Sequence, residues 1–260
     1  MLSYFMVTIC IIPARYNSTR FPGKPLVLLK NKPIIQHVYE KAKASKLVNE
    51  VFVATDDIRI CNVVESFGGN AIITSPEHSS GTDRIAEAVN KLLTEGYNLT
   101  ENSIIINLQG DEPLVKVEMI DQLIELMRKG ENFIGTLVKP IEDETDFHNP
   151  NIVKVVFDKN HFALYFSRSP IPFDREKFLK GFSNNCFMFK HIGIYGYNVK
   201  ILKEFVCLPQ SPLEKIESLE QLRALEKGIK IKVGITQYES FGIDTPEDLK
   251  KAEEYFNSLM

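Results

Sequence analysis

The sequence predicts an α/β fold, a mostly parallel sheet with helices on both faces, and two observations carry that prediction. Short β-branched runs alternate with amphipathic segments through the first half of the chain. Strand then helix, repeated, joins parallel neighbours by crossovers that cover the sheet. The 260 residues, 44% hydrophobic and 25% charged, also suffice for a substantial core, because a folded chain of this mass removes up to about three quarters of its extended surface from water. In such sheets ligands sit beyond the carboxyl ends of the strands. The loops after Ile12, Thr55 and Leu108 are therefore where chemistry is expected, and all three carry charged or polar residues.

Taken in order, a β-branched strand at 7–12 precedes a helix at 34–46. Strand 50–55 precedes helix 58–67, strand 71–74 precedes helix 83–93, and strand 104–108 precedes helix 117–127. A strand at 134–138 resumes the pattern. From about residue 141 the rhythm changes. Runs at 153–157 and 162–166 flank Asp158, Lys159 and Asn160, a turn-forming set that predicts a hairpin. An aromatic-rich stretch follows to Lys190, then an alternating strand at 191–197, a helix at 214–226 and a strand at 229–235. A last helix starts at Thr245, with Pro246 in its first turn and Glu247 and Asp248 favourable to its dipole. The whole reads as one unit, 1–260, with a smaller subdomain at approximately 141–210 inserted in it.

Composition excludes several function classes. With 31 Lys and Arg against 34 Asp and Glu, the net charge is −3. That balance leaves no electrostatic footprint for nucleic acid, so no such partner is expected. Cys10, Cys61, Cys186 and Cys207 form no CxxC pair and the five histidines take no metal-ligand spacing, which argues against zinc and for a reducing cytoplasm. The apolar run at 6–13 falls short of the ~20 residues a membrane span needs, and no membrane insertion or signal peptide is expected.

The first loop places Arg15, Arg20 and Lys24 within ten residues, with Gly23 allowing close backbone approach. Three cations after a buried strand suit the phosphates of a nucleotide; a solvated loop is the alternative. Lys24 is followed by Pro25 and the GxxxxG spacing is missing, so this is not a Walker A loop, and no GxGxxG occurs either. The third loop, Asn107-Leu-Gln-Gly-Asp-Glu-Pro113, sets Asp111 at a strand's carboxyl end beside Gly110. A carboxylate there suits Mg²⁺, which takes one or two carboxylates plus substrate phosphates; the alternative is that Asp111 caps a helix beginning near Lys116. Asp244, before the last helix, is a second acid or an ordinary turn residue.

These motifs together resemble the cytidylyltransferases that activate 3-deoxy-D-manno-octulosonic acid (Kdo), the CMP-Kdo synthetases. The likeness runs through IIPARYNSTRFPGKPL at the start, ATDD from Ala54, SGTDR from Ser80 and NLQGDEP from Asn107. It continues through NPNIVKVV from Asn149, ALYFSR from Ala163, HIGIYGY from His191, SPLEKIESLEQLR from Ser211 and GIDTPEDL from Gly242. Departures are small: Asp57 stands where relatives often have His, and the stretch between Gln237 and Gly242 is about one residue short.

The resemblance implies a Rossmann-like nucleotidyltransferase fold with a smaller sugar-binding and dimerising subdomain, hence a homodimer. It also implies a Mg²⁺-dependent reaction of CTP with Kdo that releases pyrophosphate, the activation step for lipopolysaccharide biosynthesis. Carried over residue by residue, Arg15, Arg20, Lys24 and Gln109 meet CTP, while Asp111 and Asp244 bind magnesium; Arg15, Lys24, Asp111 and Asp244 form the catalytic set. Arg84, Gln109, Arg168, His191, Tyr195, Glu220 and Gln221 go to the sugar acid. The alternative substrate is a related acidic sugar such as 8-amino-Kdo or a sialic acid.

Residue chemistry is consistent with these roles. CTP carries about four negative charges, so attack on it by an anionic sugar needs dense positive compensation. His191 and Tyr195, four apart in a strand, point to one face. Glu220 and Gln221 are expected on the helix at 214–226, beside the apolar stripe of Ile216, Leu219, Leu222 and Leu225. Arg168 suits a bidentate fork to a carboxylate or anchors its own loop.

Overall fold

The computed structural model describes residues 6–17, 21–130, 132–175 and 188–258. Among the described residues nine strands form the main sheet. The parallel strands are β1 (Thr8–Ala14), β4 (Glu50–Thr55), β5 (Asn70–Ile73), β6 (Ile104–Asn107), β7 (Phe133–Pro140) and β11 (Lys230–Ile235). β10 (Phe189–Asn198) runs antiparallel between β6 and β7. The order is β11-β7-β10-β6-β1-β4-β5. The expected hairpin is β8 (Lys154–Phe157) with β9 (Ala163–Ser167), and β8 pairs in turn with the start of β10. Two short strands, β2 (Leu28–Leu29) and β3 (Lys32–Pro33), form a separate ribbon.

Alternation along β1 shows how the sheet feeds two cores. Ile9 and Ile11 face one core, with Ile85, Val89 and Leu92 of α3 (Gly81–Thr94) and Leu202 and Phe205 of α6 (Val199–Val206). Cys10 and Ile12 face the other, with Val38 of α1 (Ile34–Ala44), Ile60 and Val64 of α2 (Ile58–Ser66) and Ile120 and Ile124 of α4 (Val117–Met127). Period-2 side chains on buried strands are thus shared between both helical layers. A short α5 (Glu144–His148) precedes the hairpin, and α9 (Pro246–Ser258) packs Ala252 with Leu29 and Ile34. Among the described residues no helix is long and apolar enough to cross a membrane.

The expected helix at 214–226 is corrected. Two helices occupy it, α7 (Pro212–Glu217) and α8 (Leu222–Glu226), separated at Ser218 by a left-handed residue with φ 53°. Ile216, which fits the helical stripe by spacing, is 79% exposed, whereas Leu219 and Leu222 are buried. The chain turns so that Leu219 and Leu222 reach the core that one straight helix would not serve. Glu220 and Gln221 therefore stand in the turn and not on a helix face.

Candidate active site

The carboxyl ends of β1 and β6 open onto a cleft of about 280 Å³. Sequence reasoning placed Arg15, Lys24, Arg84, Gln109, Asp111 and Asp244 at the site, and all six line this cleft. Arg20 lies outside the described residues. Gly110 makes the convergence possible, since a Cβ there would stand 2.9 Å from the Pro13 carbonyl oxygen. Only glycine lets the two loops approach this closely.

Lys24 is presented by a single 3-10 turn, Lys24–Leu26, entered through Gly23 at φ 70°. Its Nζ donates to Asp111 Oδ2 at 2.5 Å and to Asp244 Oδ1 at 3.0 Å. Asp244 reaches this point because the Ile243 amide donates to the Asp111 carbonyl at 2.8 Å. Behind it, the amides of Asp244 and Thr245 donate to Asp248 Oδ2 at 3.2 and 3.0 Å, which starts α9. Asp111 does not cap α4: Lys116 occupies that N-cap, without a side-chain bond. Two carboxylates from loops 133 positions apart thus converge on one positive centre, a donor set that fits a small divalent cation.

Glu112, which sequence reasoning passed over, receives a short hydrogen bond from Ser240 Oγ. Burial pushes its carboxyl up to about 7, against the pull of that hydrogen bond. Gln109 Nε2 donates to Asn107 Oδ1 at 3.2 Å. Arg84 is buried, donating to Thr74 Oγ1 at 2.6 Å and lying 3.3 Å from Asp56 Oδ1. The start of α3 forms the opposite wall, where Ser80 caps the helix by accepting the Asp83 amide, and His78 pairs with Glu87 at 2.5 Å.

A second constellation adjoins the first. Thr82 Oγ1 donates to Glu220 Oε2 at 2.6 Å, and burial raises the Glu220 carboxyl above its ordinary range. Gln221 is buried beside it at the entry to α8. His191 and Tyr195 do share a face, with ring centroids 5.2 Å apart, although the pairing of β10 with β7 shifts register between Ile192 and Tyr195. Thr136 Oγ1 lies 2.9 Å from His191 Nε2. Burial pulls the His191 imidazole down to about 3, so it is neutral near pH 7. Burial likewise raises the Tyr195 phenol, with Tyr197 and Glu220 adding to it.

Arg168, like His191, Tyr195, Glu220 and Gln221, is not among the cleft-lining residues. Its Nε donates to the Glu217 carbonyl at 2.8 Å, Nη1 to the Pro150 carbonyl at 3.0 Å and Nη2 to the Ser218 carbonyl at 3.4 Å. Its own carbonyl accepts from Lys154, a fully buried lysine whose Nζ also donates to the carbonyls of Asn149 and Ile152. These bonds join the NPNIVK, YFSR and ES segments into one knot.

Comparison with known proteins places this geometry in context. A family model described as cytidylyltransferase matches residues 9–231. The chain is 77% identical to the 3-deoxy-manno-octulosonate cytidylyltransferase of Thermodesulfovibrio yellowstonii over 97% of its own length and 99% of the relative's. It is 49% identical to the 8-amino-3,8-dideoxy-manno-octulosonate cytidylyltransferase of Shewanella pealeana, over 94% of this chain and 96% of that one. A solved structure of CMP:2-keto-3-deoxy-manno-octonic acid synthetase complexed with CTP is 41% identical, covers 98% of this chain and 100% of its own, and superposes with a TM-score of 0.88.

Proposed function

The chain belongs to the cytidylyltransferase family, and on that premise we propose that it transfers CMP from CTP to Kdo, giving CMP-Kdo and pyrophosphate. The observation that carries the choice of sugar is the identity of 77% with a Kdo enzyme, against 49% with an 8-amino-Kdo enzyme. CTP as donor is supported by the likeness to a synthetase solved with that nucleotide.

In this reading Arg15, Lys24 and Arg20 face the triphosphate, and Asp111 and Asp244 hold Mg²⁺. The bound ion supplies charge neutralisation on the phosphates and a lowered pKa for a hydroxyl that contacts it. The protein's own residues do the rest. Lys24 Nζ sits between the two acids; an ion held by both carboxylates takes that place, and the displaced ammonium is then available to the phosphates. The anomeric hydroxyl of Kdo gives up its proton to solvent as its oxygen attacks the α-phosphorus, the bond to the β-phosphate bridging oxygen breaks, and pyrophosphate leaves with that electron pair. Glu220, Gln221, His191, Tyr195 and Arg84 form the wall against which the sugar acid is oriented. The neutral His191 can exchange hydrogen bonds with hydroxyls but brings no charge to a carboxylate.

Arg168 belongs to the same reading as a sugar-acid residue; the three carbonyls take three of its five N–H donors. The approximate 141–210 subdomain, a homodimer built through it, a cytoplasmic setting and a role in lipopolysaccharide assembly rest on the family resemblance. The reading is tested by pyrophosphate release from each nucleoside triphosphate with Kdo, 8-amino-Kdo and a sialic acid, in Mg²⁺ and in EDTA. CTP with Kdo and Mg²⁺ should be the fastest combination. Equal turnover in EDTA, or a preference for ATP, would overturn it.

A further inference from the structure

Beside the turn that presents Lys24, three side chains form a stack that the mechanism above does not use. The Arg59 Cζ lies 3.4 Å from the centroid of the Tyr16 ring. The guanidinium is held over the ring by Asp57, whose Oδ1 accepts from Nε at 2.9 Å and whose Oδ2 accepts from Nη2 at 2.6 Å. Asp57 is itself fixed as the N-cap of α2, where it accepts the Arg59 amide at 2.9 Å. The Tyr16 ring also backs Gly23. Two of its carbons and the phenol oxygen lie 3.2–3.3 Å from where a Cβ on that glycine would stand, and the Gly23 amide donates to the Tyr16 carbonyl at 2.9 Å. Gly23, at φ 70°, is the residue immediately before Lys24.

An exposed Arg–Asp pair contributes little to stability by itself, and the Arg59 side chain is more than half exposed. A planar guanidinium stacked on an aromatic face, however, restricts the ring beneath it. Here that ring is the surface on which the left-handed Gly23 rests. We infer that Tyr16, clamped by Arg59 and Asp57, is a positioning residue for the nucleotide: it fixes the backbone at Gly23 and so aims Lys24 at the triphosphate. The inference rests on the proposal that CTP binds this loop. It assigns no contact with the nucleotide to Arg59 or Asp57.

The test is CTP binding to the full-length protein by isothermal titration with Mg²⁺, alongside steady-state kinetics and thermal melts. Arg59→Ala and Tyr16→Leu should each weaken CTP about three- to tenfold, raise KM for CTP by a similar factor, and leave KM for Kdo and Tm unchanged. Tyr16→Phe, which keeps the ring, should bind CTP as the wild type does. The double variant Arg59→Ala with Tyr16→Leu should lose no more than the worse single variant, because both act through one stack. Wild-type CTP affinity in Arg59→Ala overturns the inference, and so do losses that multiply in the double variant, which would mean that Arg59 meets the nucleotide on its own. A drop in Tm with KM for both substrates raised alike would assign the stack to folding. Wild-type protein that binds no CTP would overturn the functional reading itself, an outcome distinct from any of these.

Discussion

Thr82 and Glu220 are joined side chain to side chain, Oγ1 to Oε2 at 2.6 Å, across 138 positions of sequence. Thr82 belongs to the first turn of α3, whose start lines the cleft with Arg84. Glu220 belongs to the turn between α7 and α8. Through this bond the start of α3, which lines the cleft, and the turn that carries Glu220 share one fixed point. Arg223 stands 3.8 Å from the other Glu220 oxygen and is gripped by Glu214 at 2.7 and 2.9 Å, so the turn is anchored from behind as well.

Gln221→Ala and His191→Ala should therefore raise KM for Kdo about three- to tenfold with little change in KM for CTP. Each removes a hydrogen-bonding group from the sugar wall, a loss of about 0.5 to 1.5 kcal/mol for an uncharged partner. Steady-state rates with each substrate varied at saturation of the other measure the split. A shift confined to CTP would put the sugar elsewhere.

Asp111→Asn and Asp244→Asn should each abolish turnover and leave thermal stability nearly intact. Lys24 keeps the other acid as its partner in either variant, and neither carboxylate caps a helix whose loss would cost about 0.5 to 2 kcal/mol. Melting curves and single-turnover rates separate the two effects. Variants that melt early yet turn over normally would make these residues structural.

Lys154→Met should lower unfolding free energy by about 2 to 5 kcal/mol in urea titrations, because it leaves the carbonyls of Asn149, Ile152 and Arg168 without their shared donor. The buried stem is replaced by one of similar length, so the loss reads the polar contacts. A stability unchanged from the wild type would show that the knot is dispensable.

His191 gives a pH dependence with a definite sign. Its folded value is about 3 against an ordinary value of 6.5. Between those values the unfolded chain binds the proton and the folded one does not, so stability is complete above pH 6.5 and is lost as pH falls toward 3. His191→Gln should flatten that part of the stability curve between pH 6.5 and the onset of carboxylate titration. An identical slope in both proteins would place the imidazole in contact with water.

Much of the first half was legible from sequence because buried parallel strands are β-branched runs and their helices are amphipathic: 50–55 and 117–127 agree with β4 and α4 end to end. The loop residues Arg15, Lys24, Gln109, Asp111 and Asp244 reach one cleft, as strand polarity in an open sheet requires. Spacing alone misled at 214–226, where Ile216 fits a helical stripe yet faces outward. Arg168 shows a different limit. A guanidinium can donate to carbonyls or to a carboxylate, and only the arrangement of chain segments 150 and 217–218 around it tells which it meets. Glu112 left no signal beyond its neighbour Asp111, because its environment is made by Ser240, from a segment over a hundred residues away.

β10 also governs the order in which the sheet can be completed. It lies between β6 and β7, although both precede it in the chain. As the polypeptide leaves the ribosome, β1, β4, β5 and β6 can pair with one another, but β7 has no neighbour on either side until residues 189–198 and 230–235 emerge. Until then β6 and β7 each present an open, apolar edge, the arrangement most prone to pairing with another nascent chain. A truncation ending before residue 189 should consequently accumulate as aggregate rather than as a small folded nucleotide binder.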